Sequence, residues 1–174
     1  HVMRVKLSQN FYLDEFTRSQ TAARFGIDNS APPAPSIRLM RLCRNLLQPL
    51  RDEVGPIHIS SGYRSPALNK KIGGSKNSQH PHGLAADITA TGKTPHQLAA
   101  CIHSRGGYDQ LILEFGEWVH VSIPEKGGIA RGEILTAVKV PRPFRKPKTV
   151  YVPGLLSQED ALKIALKKTQ GGAA

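Results

Sequence analysis

The sequence has few cysteines and few aromatic residues. Of its 174 residues only two are cysteines, Cys43 and Cys101, and aromatic residues make up 6%. Both cysteines lie in segments with helical periodicity and lack the close pairing of a thiolate metal site, so we expect buried free thiols. A chain of this length can bury roughly two thirds of its unfolded surface in one core, so its stability need not depend on disulfides. The sequence also lacks an apolar run of about 18 residues, which excludes a membrane-spanning helix.

Acidic side chains are scarce as well. The chain has 13 Asp and Glu against 24 Lys and Arg, which gives a formal net charge of +11. This balance indicates an acidic partner, which could be an anionic polymer or a nucleic acid. Because aromatic and basic residues are not interleaved, base stacking on single strands is disfavoured, and no helix-turn-helix or finger pattern is present. We therefore expect no nucleic acid, and a nucleic-acid-binding protein stays a remote alternative that only the charge favours.

The order of predicted elements indicates an α+β fold, with a small antiparallel sheet flanked by helices. Apolar residues recur at helical spacing from Ile37 to Leu50, and a Thr94-Pro-His-Gln97 capping box begins another helix. Alternating or apolar runs predict strands at residues 57–61, 84–89, 110–115, 118–123 and 133–140. The strands on either side of Gly116 are predicted to pair.

Two imidazoles and one carboxylate stand out as candidate metal ligands. They are His80 and Asp87 in Ser78-Gln-His80-Pro-His-Gly83-Leu-Ala85-Ala-Asp87, and His120 in Trp118-Val-His120-Val-Ser122. A catalytic zinc site needs three protein ligands and a fourth position that stays open, and this trio supplies the three. A loop histidine and a strand aspartate bonded to backbone is the alternative, because the His80 to Asp87 spacing alone is a weak pattern.

These motifs resemble the zinc D-alanyl-D-alanine carboxypeptidase family. That family includes VanX-type dipeptidases and phage peptidoglycan endopeptidases, and it shares its fold with the Hedgehog signalling domain. Upstream, Ser60-Ser-Gly62-Tyr63-Arg64-Ser65-Pro66 and Ile72-Gly73-Gly74-Ser75 are similar to the family's substrate-arginine segment, in the right order. The resemblance covers residues 60–122 and implies a zinc peptidase that cleaves an amide bond of peptidoglycan.

The resemblance also implies roles for single residues. His80, Asp87 and His120 would bind Zn²⁺, and Arg64 would bind the substrate carboxylate or the oxyanion, a role that suits the fixed fork of a guanidinium. Ser78 and Tyr63 would be substrate contacts, with packing as the alternative for both. His82 matches a variable position of the motif, so we expect it on the loop surface.

Two carboxylates compete for the role of general base. Glu117 lies three residues before His120, as in the VanX branch, whereas Glu114 lies six before, as in the Hedgehog-type and phage-like members. Regular strand pairing would put Glu114 on the same face as His120, although a bulge at Gly116 could change this parity. Burying an unpaired charge is costly, and Glu114 ends an apolar run, so we favour Glu114 over Glu117.

Beyond Val140 the sequence turns basic and proline-rich. We expect the zinc peptidase domain to span residues 1–140, with its motif core at 60–122. Residues 141–174 would form an extended basic arm and a C-terminal amphipathic helix that begins after Ser157. The helix would either dock on the domain or bind the bacterial envelope, and the arm would contact anionic envelope polymers.

The segment that follows His1-Val2-Met3 lacks the apolar stretch of a secretory signal. We therefore expect synthesis in the cytoplasm and action at the bacterial cell wall, as for a phage lysis enzyme released by another factor, although a trimmed signal would look the same. Carboxypeptidase, D,D-endopeptidase and L-alanyl-D-glutamate endopeptidase activities all remain open, and a lysis role favours an endopeptidase. A catalytically silent wall- or tail-binding module with the same fold is the main alternative.

Overall fold

The computed structural model describes residues 3–171 and contains a small hairpin and one large sheet. The hairpin is formed by β1 (Lys6–Ser8) and β2 (Phe11–Tyr12). The sheet comprises β3 (Ile57–Ser61), β4 (Ala85–Ala90), β5 (Gln110–Glu114), β6 (Trp118–Ser122), β7 (Glu133–Arg142) and β8 (Arg145–Pro153). Its strand order is β3-β4-β6-β5-β7-β8, and all neighbours are antiparallel except β5 and β7.

Seven α-helices accompany the strands within residues 3–171. They are α1 (Leu13–Thr17), α2 (Gln20–Phe25), α3 (Pro33–Leu42), α4 (Gln48–Val54), α5 (Pro66–Lys71), α6 (Pro95–Arg105) and α7 (Gln158–Gly171). A π-helical segment, Cys43–Leu47, joins α3 to α4, and a short 3-10 turn, His80–His82, precedes β4. Helices packed on a mainly antiparallel sheet confirm the predicted α+β class.

The period-two geometry of the strands separates a core face of the sheet from a second face. Apolar residues of the core face pack with residues of α1, α3, the π-helical segment, α4 and α6 in one hydrophobic cluster. On the sheet side this cluster contains Ile57, Ile59, Ala86, Ile88, Leu111, Leu113, Val119 and Val121. The residues that alternate with them, among them Asp87, Glu114 and His120, therefore point to the opposite face.

Both cysteines are free, as predicted. Cys43 is fully buried and Cys101 is half-buried. Burial raises the pKa of the Cys43 thiol well above its usual range, because a thiolate would lose its hydration there. None of the helices in the described part of the chain is both long and apolar enough to cross a membrane.

The first part of the predicted basic arm, residues 141–148, belongs to the large sheet. This segment forms the end of β7, the turn and the start of β8, and Arg142 pairs with Arg145 across the turn. The pairing register shifts between Val140 and Arg142, so Pro141 lies in an irregular stretch, and β8 is an edge strand. Proline is tolerated at both kinds of position, which explains why the basic, proline-rich stretch can be β-structured.

The C-terminal helix α7 packs on β7 and β8. Ser157 caps it as expected, since its Oγ accepts a hydrogen bond from the Asp160 backbone N–H at 3.1 Å. The contact between α7 and the two strands forms a second hydrophobic cluster, which consists of Val138, Val140, Val152, Ala161 and Ala165. Of the two alternatives for this helix, docking is the one the structure shows. Strand β7 runs through residue 140, and whether residues 141–174 form a separable unit stays a prediction.

A charge placed in this second cluster tests the docking of α7 in solution. Ala165 is fully buried, so Ala165→Glu forces a carboxylate into apolar surroundings. We expect the free energy of unfolding to fall by roughly 2 to 4 kcal/mol. Lys167→Glu introduces the same residue at an exposed position of the same helix and is the control. Equal thermal midpoints for both variants would mean that α7 is not docked.

Candidate metal centre and active site

His80 is held in one orientation by the backbone of a neighbouring segment. Its ring is almost fully buried, and Nδ1 donates a hydrogen bond to the Gly62 carbonyl oxygen at 2.6 Å. This bond leaves the lone pair of Nε2 directed into the site, where Nε2 lies 3.3 Å from Oδ1 of Asp87 and has no hydrogen-bond partner among the described residues. Burial lowers the pKa of His80, which favours the neutral imidazole that binds metals.

The turn that carries His80 depends on two glycines. Gly83 ends the 3-10 turn with a φ of 75°, and a Cβ there would lie 2.3 Å from the Pro35 carbonyl oxygen. Gly62, whose carbonyl oxygen accepts the bond from His80, would bring a Cβ within 2.7 Å of Phe16. A side chain at either position would displace the backbone that sets the direction of the imidazole.

Asp87 and His120 are directly opposite each other on β4 and β6. Nδ1 of His120 lies 3.0 Å from Oδ1 of Asp87. Burial alone would raise the pKa of Asp87, but the imidazoles of His80 and His120 hold it well below its usual range, so the carboxylate is ionised. One ligand atom from each of the three residues lies within 4.8 Å of the others.

This donor set fits a single metal ion. Two imidazole nitrogens and one carboxylate oxygen converge, and the buried Nε2 of His80 is an orphaned polar atom that a cation would satisfy. The set is also the one that three-ligand zinc sites use. The backbone hydrogen bond on the remote nitrogen of His80 is the outer support such ligands ordinarily have.

Glu114 shares the face of the sheet that carries His120. The pairing of β5 with β6 is regular, with Ile112 opposite His120 and Glu114 opposite Trp118, so the turn at Gly116 leaves the parity unchanged. Burial raises the pKa of the Glu114 carboxyl to about 7, and the negative Asp87 adds to the effect of burial. Glu117 lies in the turn itself and is exposed.

Arg64 follows β3 and reaches the same cleft as Glu114. Its guanidinium is partly buried, and its Nε has no hydrogen-bond partner among the described residues. Burial lowers the pKa of Arg64, while the carboxylates of Asp87 and Glu114 oppose that shift. A fixed guanidinium with free donors can bind a carboxylate or a developing oxyanion.

Three other residues singled out in the sequence have different surroundings. Ser78 lines the cleft, and its Oγ accepts a hydrogen bond from the backbone N–H of His80 at 3.2 Å. Tyr63 is 4% exposed, belongs to the main core and does not line this cleft, so its position matches the packing alternative. His82 is exposed, as expected.

The cleft around these residues has a volume of about 710 Å³. Sequence reasoning named Arg64, Ser78 and Glu114 but missed several other lining residues: Gln79, Gln110, Ile112, Trp118, Arg131, Leu135 and Tyr151. Strand alternation could have identified positions 110, 112 and 118, which share the parity of Glu114 and His120. Arg131 and Tyr151 reach the cleft through pairings that no sequence pattern revealed.

Arg131 is fixed at the cleft by a buried acid. Its backbone N–H and its guanidinium both donate to Asp109, the latter through Nη2 at 3.0 Å. Burial would raise the pKa of Asp109, but the hydrogen bonds from Arg131 and Gln79 lower it, so the carboxylate is ionised. Because Gln79 and Arg131 both donate to Asp109, Gln79, which precedes His80, is connected to the loop before β7.

Comparison with known proteins agrees with this geometry. The family model described as Peptidase M15 matches residues 9–122, which include every residue of the candidate metal centre. The chain belongs to the peptidase M15 family. It is also 37% identical over 62 residues to a zinc D-Ala-D-Ala carboxypeptidase of Streptomyces albus G. That match covers 34% of this chain and 24% of the relative, so the chain spans about a quarter of the curated protein it matches.

Removing one side chain of the trio tests the metal centre. The purified wild type is expected to contain one zinc per chain, and His120→Ala or Asp87→Ala is expected to lose it, since two protein ligands hold the ion too weakly. His82→Ala removes an exposed imidazole from the neighbouring turn and should keep the metal. Elemental analysis after dialysis measures the content, and stoichiometric zinc in His120→Ala would contradict the assignment.

Proposed function

We propose that this protein is a zinc-dependent peptidase that hydrolyses an amide bond in the stem peptide or cross-link of bacterial peptidoglycan. The observation that carries the proposal is the convergence of His80, Asp87 and His120 in one cleft with the half-buried Glu114, which forms no salt bridge among the described residues. Membership of the peptidase M15 family and likeness to a zinc D-Ala-D-Ala carboxypeptidase support it.

The zinc would be held by Nε2 of His80, Nδ1 of His120 and the carboxylate of Asp87. When bound, zinc supplies a Lewis acid that polarises a carbonyl group and acidifies a water molecule. The ionised state of Asp87 and the neutral state of His80 suit this role without a further proton transfer. The hydrogen bond from His80 to Gly62 keeps the imidazole from rotating away.

Glu114 is proposed as the general acid and base. A carboxyl with a pKa near 7 can accept a proton from the attacking water and return it at the same pH. The water oxygen bonds to the carbonyl carbon while its proton moves to the Glu114 carboxylate. As the carbon–nitrogen bond breaks, Glu114 gives this proton to the leaving amine. Glu114 therefore carries the same proton in both steps, and no second acid or base is needed.

Arg64 and Ser78 would bind the substrate. The guanidinium of Arg64 has donors free for a substrate carboxylate or for the negative charge that develops on the carbonyl oxygen. Ser78 can offer its hydroxyl proton, because its Oγ accepts from the backbone N–H of His80 and does not need its own hydrogen there. Both residues line the cleft together with Glu114.

Matched amide substitutions distinguish the two carboxylates. We expect Glu114→Gln to lower kcat about 10²- to 10⁴-fold on peptidoglycan fragments, since a general acid and base contributes about that much. Zinc content should stay near that of the wild type, and the thermal midpoint at neutral pH should not fall, because the amide carries no charge that burial penalises. Glu117→Gln should change kcat less than about threefold, because Glu117 is exposed in the turn. The reverse ranking would assign the proton transfer to Glu117.

Digestion of purified sacculi tests the activity itself. Release of soluble fragments by the zinc-loaded wild type, and not by Glu114→Gln, is the expected result, and mass spectrometry of the fragments identifies the bond. Binding of sacculi without release would instead support the silent wall-binding alternative. We further propose a role in phage lysis, which would favour internal cleavage; its support is the motif resemblance of residues 60–122 to a family that includes phage endopeptidases.

The hairpin of β7 and β8 is the proposed contact to anionic envelope polymers. Arg142, Arg145, Lys146 and Lys148 are all exposed along its outer half. No acidic residue occurs between Glu133 and Glu159. Phosphate groups of teichoic acids or lipopolysaccharide carry the complementary charge.

Charge neutralisation tests this contact without disturbing the docked helix. The triple variant Arg145→Gln, Lys146→Gln, Lys148→Gln should bind purified teichoic acid or lipopolysaccharide roughly tenfold more weakly at low salt. The difference should shrink at high salt because exposed charges are screened. Arg24→Gln, Lys93→Gln, Lys126→Gln makes the same charge change at exposed positions elsewhere. Equal weakening in both triple variants would show that only net charge matters.

A further inference from the structure

We propose that Tyr151, on the C-terminal hairpin, is a substrate-binding residue whose hydroxyl donates a hydrogen bond to the peptide beside Glu114. The inference rests on the proposed peptidase function and adds a recognition element to the same cleft. Tyr151 lies outside residues 9–122, the part of the chain that the family model matches. Its role is therefore a property of this chain's own C-terminal segment.

A cross-strand row places Tyr151 on the face of the sheet that carries the metal centre. Glu114 on β5 is paired with Ala137 on β7, and Ala137 is paired with Tyr151 on β8. Paired residues of neighbouring strands point to the same face. Glu114 and Tyr151 are thus two strands apart, about 10 Å between backbones. Ala137, the residue between them, carries only a methyl group and is fully buried.

Tyr151 is not part of either hydrophobic cluster of the described residues. Its chain neighbours Val150 and Val152, by contrast, face α7 and pack in or against the second hydrophobic cluster. The residue is 49% exposed and lines the cleft. An amphipathic ring with one polar end, standing at the wall of a cleft, suits contact with a peptide.

The hydroxyl of Tyr151 is a donor throughout the neutral range. Burial raises the pKa of the phenol, and the negative charges of Glu114 and Asp87 raise it further. These causes also show that the ring is close enough to feel both carboxylates of the site. A protonated phenol next to Glu114 can donate to a substrate carbonyl oxygen or to a substrate carboxylate.

Removing the hydroxyl alone is the test. Tyr151→Phe keeps the ring, and we expect kcat/KM on muropeptides released from sacculi to fall about 3- to 10-fold, the effect of one neutral hydrogen bond. Zinc content and thermal midpoint should not change. Phe144→Ala removes a fully exposed aromatic ring from the turn of the same hairpin and is the control, with wild-type kinetics expected. Tyr151→Ala should lower kcat/KM further and raise KM, because the wall of the cleft is lost.

Binding can be followed without turnover. Trp118 is the single tryptophan of the chain and lines the cleft, so its fluorescence reports muropeptide binding to zinc-loaded Glu114→Gln. Adding Tyr151→Phe to that background should weaken the muropeptide affinity by the same factor as kcat/KM if the hydroxyl contacts the substrate before reaction. An affinity that is unchanged while kcat falls would place the contact in the transition state, which also supports the proposal.

Each of the following outcomes would contradict the role proposed for Tyr151. Unchanged kcat/KM and affinity in Tyr151→Phe, with an active wild type, would leave the proposed peptidase standing and remove Tyr151 from substrate binding. A lower thermal midpoint or lost zinc in Tyr151→Phe would show a structural role instead. If the wild type neither cleaves nor binds muropeptides, the proposed function fails, and the inference fails with it.

Discussion

The register between β4, β6 and β5 is the constraint on which the site depends. Because side chains alternate between the two faces, a slip of one residue would turn Asp87 into the core and Ile88 into the cleft. Ile88, Val119 and Val121 pack in the main core, so such a slip would exchange buried apolar side chains for a charge. The hydrophobic core therefore fixes the positions of Asp87 and His120, whereas His80 depends on its 3-10 turn and on the hydrogen bond to Gly62.

The same arrangement costs stability at the site. Two imidazoles keep the Asp87 carboxylate ionised. For Glu114 the opposing charges of His120, Arg64 and Lys139 do not outweigh burial, and its pKa rises from 4.5 to about 7. A carboxyl whose folded pKa is raised favours the protonated folded state. The contribution of Glu114 to the free energy of unfolding is therefore fully present below pH 4.5 and is lost as the pH rises to about 7. Such an electrostatic cost is expected at a group that must exchange protons. The burial of the apolar face of the sheet offsets this loss of stability.

Local patterns predicted the centre of the fold well, because they depend on residues close in sequence. Strand alternation around Gly116 predicts Glu114 on the face of His120 if the pairing is regular, and the regular β5–β6 pairing confirms that parity. The C-terminal hairpin was missed, because proline excludes a central strand but not an edge, and only tertiary structure decides which of these a segment becomes. Arg131 and Tyr151 were missed for a related reason. Their approach to the cleft depends on the parallel pairing of β5 with β7, which joins residues far apart in sequence.

The proposed metal centre and the proposed substrate contact of Tyr151 lie on different strands of one surface. The metal ligands and Glu114 belong to the 3-10 turn and to β4, β5 and β6, where the main core locks the register. The face continues across β7 and β8, and these strands pack through Val138, Val140 and Val152 on a separate cluster with α7. Substitutions of Leu135 and Tyr151, which line the cleft, can therefore change what the cleft binds without moving a metal ligand. An edge hairpin with proline and basic residues also resists pairing with other chains, so this outer wall can stay open to a substrate.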